Sequence, residues 1–422
     1  MNKHINNYFD ETYYTETLNN GLKVIIFHKP EFNTTTCSFG TPYGALKINQ
    51  KLNDKKYSFN PGIAHFLEHK LFETKGDDIL NEFSAMGASV NAFTSYNETV
   101  YYFSKTGNDI DRCLNLLLDF VQSLDITDES VEKEKGIIIQ ELAMYMQMPD
   151  QRLLQETYKC LYKNFPLKYD VGGDSKSVKR ITKNELEECY KINYHSANMV
   201  LCITSPIDPN KIIEIVRNNQ DKKEFSPFIQ PINCNIDEPD DVVKKSYSFK
   251  MPINTDKHIY AYKIKPDFKD LNDCFKSEWA LRILLECYFS SLNPDYQKWI
   301  DEKIINDFFG YDVDFNMDYA NIFFYIENND STILKTLVED TLKNNLINED
   351  KIEQLKHRFI GAMFEVFNDI ESFNNGYLRD CLQELDFFKA LEDLKTISLK
   401  DVENVRKYLS CPHRTYVSMI KE

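Results

Sequence analysis

Runs of β-branched and aromatic residues bounded by polar turns mark strands at 22–27 (Leu-Lys-Val-Ile-Ile-Phe) and 199–204 (Met-Val-Leu-Cys-Ile-Thr). Two more, at 99–103 and 322–326, each follow a glycine-led segment, 87–93 and 310–315. After each comes an amphipathic pattern of helical period, near 110–124 and 333–346, and then a second helix starting near Glu129 and Glu349. The two series keep register: Gly87/Gly310, Val90/Val313 and Tyr96/Tyr319 are each 223 positions apart, and 126–133 matches 347–354 at an offset of 221. A colinear series of this kind predicts duplication of one α+β unit. Further helices are predicted at 278–289 and 355–367.

Between the halves, 218–241 is polar, holds Pro227, Pro231 and Pro239, and ends in the acidic Asp237-Glu-Pro-Asp-Asp241. It reads as a linker. The expected organisation is therefore α+β, two duplicated domains at 1–217 and 242–422, each a mainly antiparallel sheet with flanking helices.

Composition narrows the function. With 42 % hydrophobic and 13 % aromatic residues, the 422-residue chain can build real cores. A formal net charge of −16 argues against nucleic acid, which needs a basic surface, and suits solubility or basic substrates. No run approaches the roughly 20 apolar residues needed to span a bilayer, and the first 15 residues lack the apolar core of a secretory signal. The ten cysteines are scattered with no CxxC pair, which favours a reduced, cytoplasmic protein over a disulfide framework.

The chemistry concentrates in two segments. After the breaker Pro61-Gly62, the sequence Ile-Ala-His65-Phe-Leu-Glu68-His69 reads as a helix. Residues four apart share a helix face, so His65 and His69 can offer two imidazoles to one ion. Glu68 projects beside the pair, which makes this HxxEH, the reverse of HExxH. A catalytic zinc takes three protein ligands and leaves a position for water. The third ligand is expected from the helix 132–145, where Glu134 and Glu141 lie two turns apart on one face. Glu141 sits in the apolar stretch 137–144, where an unpaired carboxylate is costly. The reading is one Zn²⁺ per chain on His65, His69 and Glu141, with Glu68 as general base. Glu134 completes the catalytic set as a carboxylate supporting a ligand. His195 is read as a packing or capping residue, and no nucleophile motif of the GxSxG type occurs.

The run Gly62–His69, the strand region 87–95 (Gly-Ala-Ser-Val-Asn-Ala-Phe-Thr-Ser) and the Glu134…Glu141 helix together resemble the insulinase/pitrilysin/mitochondrial processing peptidase family of zinc peptidases. His-Lys-Leu-Phe-Glu after the motif resembles its small bacterial branch. The resemblance implies half of a four-domain clamshell, with Asn91 and Ala92 meeting the peptide substrate. By the duplication offsets, His65, Glu68, His69 and Glu141 fall on Tyr288, Ser291, Leu292 and Ala362, so the second half should be free of zinc. Active relatives carry an Arg with a Tyr seven residues on, and no Arg of this chain has one. The expected partner is thus a zinc-free homologue that supplies both, forming a heterodimer. The competing reading is a non-catalytic binding or assembly subunit that retains the fold.

Overall fold

A computed structural model describes residues 1–74 and 77–422. The chain divides into two compact units. The first is built on a seven-stranded sheet of β1 (Asn2–Asn6), β2 (Glu11–Thr17), β3 (Lys23–His28), β4 (Thr34–Thr41), β5 (Ala88–Thr94), β6 (Thr99–Thr106) and β7 (Val200–Ser205), in the order β1-β2-β3-β7-β4-β6-β5. The second is built on five strands, β8 (Ser246–Met251), β9 (Lys257–Ile264), β10 (Gly310–Phe315), β11 (Ala320–Glu327) and β12 (Arg414–Lys421), in the order β8-β12-β9-β11-β10.

Read from the β5 and β10 ends, the two sheets have the same strand order: β5-β6-β4-β7-β3 against β10-β11-β9-β12-β8. In both, every pairing is antiparallel except the last, β7 with β3 and β12 with β8. The duplication and the mainly antiparallel α+β fold are therefore as the sequence reads. β1 and β2 are additions to the first sheet, formed by the polar N-terminal stretch.

Six helices matter below: α1 (Ile63–Leu71), α2 (Asp128–Tyr145), α3 (Pro149–Leu161), α4 (Leu271–Phe289), α5 (Glu349–Val366) and α6 (Ile370–Leu382). The first unit takes residues 1–142, 169–235 and 365–387, and the second takes 143–168, 236–364 and 388–422. Each half of the sequence thus hands a segment to the other unit. Helix α6 packs on β4 and β7 of the first sheet, and α3 packs on the corresponding strands β9 and β12 of the second. Phe27 beneath α6 meets Phe373 and Tyr377 edge-on at ring-centroid distances of 4.8 Å. Tyr158 of α3 meets Phe323 in the same way at 5.6 Å. Residues 218–220, read as the start of a linker, are the last turn of the helix Pro209–Gln220. There Asn219 and Gln220 are buried in a side-chain amide network with Asn20, Asn115 and Gln122.

The apolar faces of α1 and the helix Asp111–Val121 close one side of the first sheet around Phe66, Leu67, Tyr101, Phe103 and Phe120. That packing fixes α1 along its length, and with it the face that carries the two histidines.

Candidate metal centre

Helix α1 starts where Gly62 turns the chain through φ 91°, a left-handed conformation that a side chain would strain. A Cβ on Gly62 would also stand 2.3 Å from the Gly172 carbonyl oxygen. The Pro61-Gly62 breaker and the loop 170–174 are thus pressed together, which locks the start of α1. One turn on, His65 and His69 lie ring to ring, with centroids 4.5 Å apart.

Helix α2 crosses opposite them. Glu141 Oε2 lies 3.8 Å from His65 Nε2 and 3.5 Å from His69 Nε2. One ligand atom from each of the three residues lies within 4.8 Å of the others. Ligands of a tetrahedral ion with bonds of about 2.0 Å stand about 3.3 Å apart, so small adjustments would close the set. Two turns back along α2, Glu134 Oε1 accepts from His69 Nδ1 at 2.9 Å. With Nδ1 carrying its hydrogen toward Glu134, His69 Nε2 presents a lone pair to another acceptor, Glu141 Oε2. That oxygen is buried with no hydrogen-bond partner, and so is His65 Nδ1. A buried carboxylate oxygen that faces two imidazole Nε2 atoms without a hydrogen bond is costly, and a cation held between the three would resolve it. The donor set of two imidazoles and a carboxylate suits zinc.

The electrostatics set the two imidazoles apart. Burial, aided by the charge of His69, holds His65 down to about 4, so its imidazole is neutral near pH 7. Burial pulls His69 the same way, but the hydrogen bond and charge of Glu134 outweigh it and raise His69. Burial would raise Glu134, yet the bond from His69 keeps it below the usual carboxylate range. Glu68 goes the other way: burial raises it, against a hydrogen bond from Thr94. Thr94 Oγ1 donates to Glu68 Oε2 at 2.5 Å.

Thr94 belongs to β5, the outer strand of the first sheet, whose one neighbour among the described strands is β6. Asn91 and Ala92 lie on the same strand, and the Asn91 carboxamide oxygen accepts from the Ala92 N–H at 2.9 Å. All seven residues singled out in the sequence are thus gathered in the first unit: His65, His69 and Glu141 facing one point, Glu134 behind His69, Glu68 beside them, and Asn91 and Ala92 on the strand that carries Thr94.

Sequence reading missed Thr94; its signal was its place on the same face of β5 as Ala92. The burial argument for Glu141 was also too simple. Of the apolar stretch 137–144, Ile137 and Met144 are 44 % and 53 % exposed, and the carboxylate is enclosed by the histidines rather than by that stretch. In the second unit the equivalent positions hold no histidine or carboxylate. Tyr288 gives its hydroxyl to the Asn344 carbonyl, and Ser291 and Leu292 lie past the end of α4. Among the described residues, no second group of metal-spaced ligands occurs. His195 caps the turn Ser196–Asn198, its Nδ1 accepting from Ala197 N–H.

Comparison with known proteins accords with this geometry. Residues 52–175 match the family model of insulinase (peptidase family M16), and residues 180–358 match that of the peptidase M16 inactive domain. The uncharacterized zinc protease YmfH of Bacillus subtilis is 36 % identical over 402 residues, covering 94 % of this chain and 93 % of that protein. The mitochondrial-processing peptidase subunit beta of Saccharomyces cerevisiae is 28 % identical over 204 residues, covering 47 % of this chain and 42 % of that one. The crystal structure of an M16-like peptidase from Alicyclobacillus acidocaldarius has a TM-score of 0.91 at 27 % identity, covering 98 % and 99 % of the two chains. With both family models matched in order along the chain, and a relative 36 % identical over nearly its whole length, this protein belongs to the insulinase family of peptidases, M16.

Proposed function

We propose that the chain is a zinc-dependent endopeptidase that cleaves peptides or unfolded segments, working with a second, zinc-free subunit. The observation that carries this is the convergence of His65 Nε2 and His69 Nε2 on the partnerless Oε2 of Glu141, with Glu134 on the far side of His69. Bound there, zinc would supply Lewis acidity, bringing the pKa of water toward about 7 and polarising a carbonyl. His65, His69 and Glu141 would hold it, and Glu134 would fix the ring and tautomer of His69. Glu68 has Oε2 committed to Thr94, which leaves Oε1 to take the proton of the attacking water and return it to the departing amine. A peptide added along the open edge of β5, as a further strand, would displace the Asn91 carboxamide from the Ala92 N–H and use that donor itself. Backbone pairing of this kind reads extended shape and allows precursor or leader peptides as substrates.

The partner follows from what the chain lacks. A developing oxyanion needs a preorganised donor, and the Arg–Tyr pair of active relatives is missing here. The word "subunit" in the name of the mitochondrial relative supports division of labour between two chains. The ten unpaired cysteines support a cytoplasmic location, and among the described residues no helix is long and apolar enough to cross a membrane.

The test is elemental analysis of the purified chain together with hydrolysis of a quenched-fluorescence peptide library, alone and with a zinc-free homologue titrated in. One zinc per chain, lost in Glu141→Gln, and activity that rises with the homologue are expected. A metal-free chain inert in both assays refutes the enzyme reading in favour of a binding subunit. Full activity alone, unchanged by the homologue, refutes the partner.

A further inference from the structure

Lys70 follows His69 directly and is 1 % exposed, in a helix whose neighbouring buried positions are Phe66, Leu67 and Leu71. A methionine or leucine would fill such a site without the cost of desolvating an ammonium. The ammonium has specific surroundings. It donates to Glu73 Oε2 and, at 3.4 Å, to the Ser130 carbonyl at the start of α2. It also lies 4.0 Å from Glu134 Oε2.

The two carboxylates differ. The Glu73 side chain is 40 % exposed and is solvated with or without Lys70, whereas that of Glu134 is 11 % exposed. Glu134 is also divided between two duties, with Oε1 on His69 Nδ1 at 2.9 Å and Oε2 facing the ammonium. A buried carboxylate held on one oxygen alone can rotate about its last bond, and a charge fixed near the other oxygen removes that freedom. Lys70, Glu134 and His69 thus form a row that ends at the imidazole atom facing Glu141.

We propose that Lys70 is a positioning residue of the metal centre, acting through Glu134: it balances that carboxylate's charge and orients it so that His69 is presented to the ion. The proposal rests on the metal-site reading above. It assigns Lys70 no contact with substrate or metal.

The direct effect of a nearby cation is the opposite one, repulsion of Zn²⁺, so the sign of the change is decisive. Zn²⁺ affinity of the full chain is measured by competition with a chromophoric chelator for wild type, Lys70→Met, Glu134→Gln and the double variant, and thermal melting of the metal-free proteins checks folding. Lys70→Met should weaken binding by ten- to a hundredfold, in the range known for residues that support a ligand. In the Glu134→Gln background the same change should alter affinity less than threefold. Equal losses in both backgrounds, or tighter binding in Lys70→Met, overturn the proposal. If Lys70→Met shows no cooperative melt, Lys70→Gln takes its place in the cycle and must show the same dependence on Glu134. A wild-type chain that binds neither Zn²⁺ nor Co²⁺ overturns the metal-site reading together with this one. A wild type that binds one equivalent, with no coupling in the cycle, overturns this one alone.

Discussion

Replacing Thr94 by valine should slow peptide hydrolysis by about 10- to 150-fold while leaving the metal and the fold in place. Valine has the shape of threonine, is branched at Cβ and suits a strand, so the pairing of Thr94 with Thr99 should survive. What disappears is one hydrogen bond, from Oγ1 to Glu68 Oε2 at 2.5 Å. Hydrogen bonds to charged groups contribute about 1.5–3 kcal/mol, and each 1.36 kcal/mol on a barrier is tenfold in rate, which gives the range stated. The loss belongs in kcat, because the bond aims the base and does not hold the peptide; KM should move less than threefold. The assay is steady-state hydrolysis of a quenched peptide, with zinc content measured on the same sample and Glu68→Gln marking the floor. Thr94→Ser, which restores the hydroxyl, should recover most of the rate. A valine variant within twofold of wild type, or a serine variant as slow as valine, would refute the idea that Thr94 aims the base.

Two further changes probe the frame around the site. Gly62→Ala combines a left-handed backbone with a Cβ 2.3 Å from the Gly172 carbonyl oxygen, so it should cost about 2–4 kcal/mol in urea unfolding; a loss below about 0.5 kcal/mol would show that the loop 170–174 yields freely. Asp380, on α6, is pushed up to about 7 by burial, against Arg379 and with the help of Glu98. A carboxyl whose folded pKa is raised binds protons more tightly in the folded state, so its penalty grows as pH rises from its unfolded value near 4 to its folded value near 7. Asp380→Asn should therefore stabilise by on the order of 1–2 kcal/mol at pH 8, allowing for partial exposure, and progressively less toward pH 5. A gain independent of pH would contradict that origin.

The clustering of His65, His69 and Glu141 was legible because helix geometry turns spacing into direction: His65 and His69 are four apart on α1, and Glu134 and Glu141 seven apart on α2. The duplication was legible because two copies of one strand order carry two copies of one pattern. The exchanged helices were not. An amphipathic pattern in 149–161 says which face of α3 is buried, with Leu153, Tyr158 and Leu161 inward, but two homologous sheets offer that face equivalent seats. Thr94 and Lys70 were missed for a related reason. Their partners Glu68 and Glu134 lie 26 and 64 residues away, and no local preference marks a polar side chain as someone else's support.

The exchange of helices also sets an order of events during synthesis. All five residues read as ligands, base and ligand support have been synthesised by residue 141, yet the segment 365–387 that covers the first sheet is made some 220 residues later. Until then β4 and β7 lack α6, and Phe27 and its aromatic neighbours face water where Phe373 and Tyr377 will lie. A nascent chain stopped after residue 141 but before residue 387 therefore carries all five of these residues on an unfinished unit. Cutting at the polar stretch between the halves would yield two fragments, each missing a helix that the other holds. The half of the sequence that carries the candidate metal centre is therefore not a separable module: its unit is completed only by translation of the other half, where no second group of metal-spaced ligands occurs among the described residues.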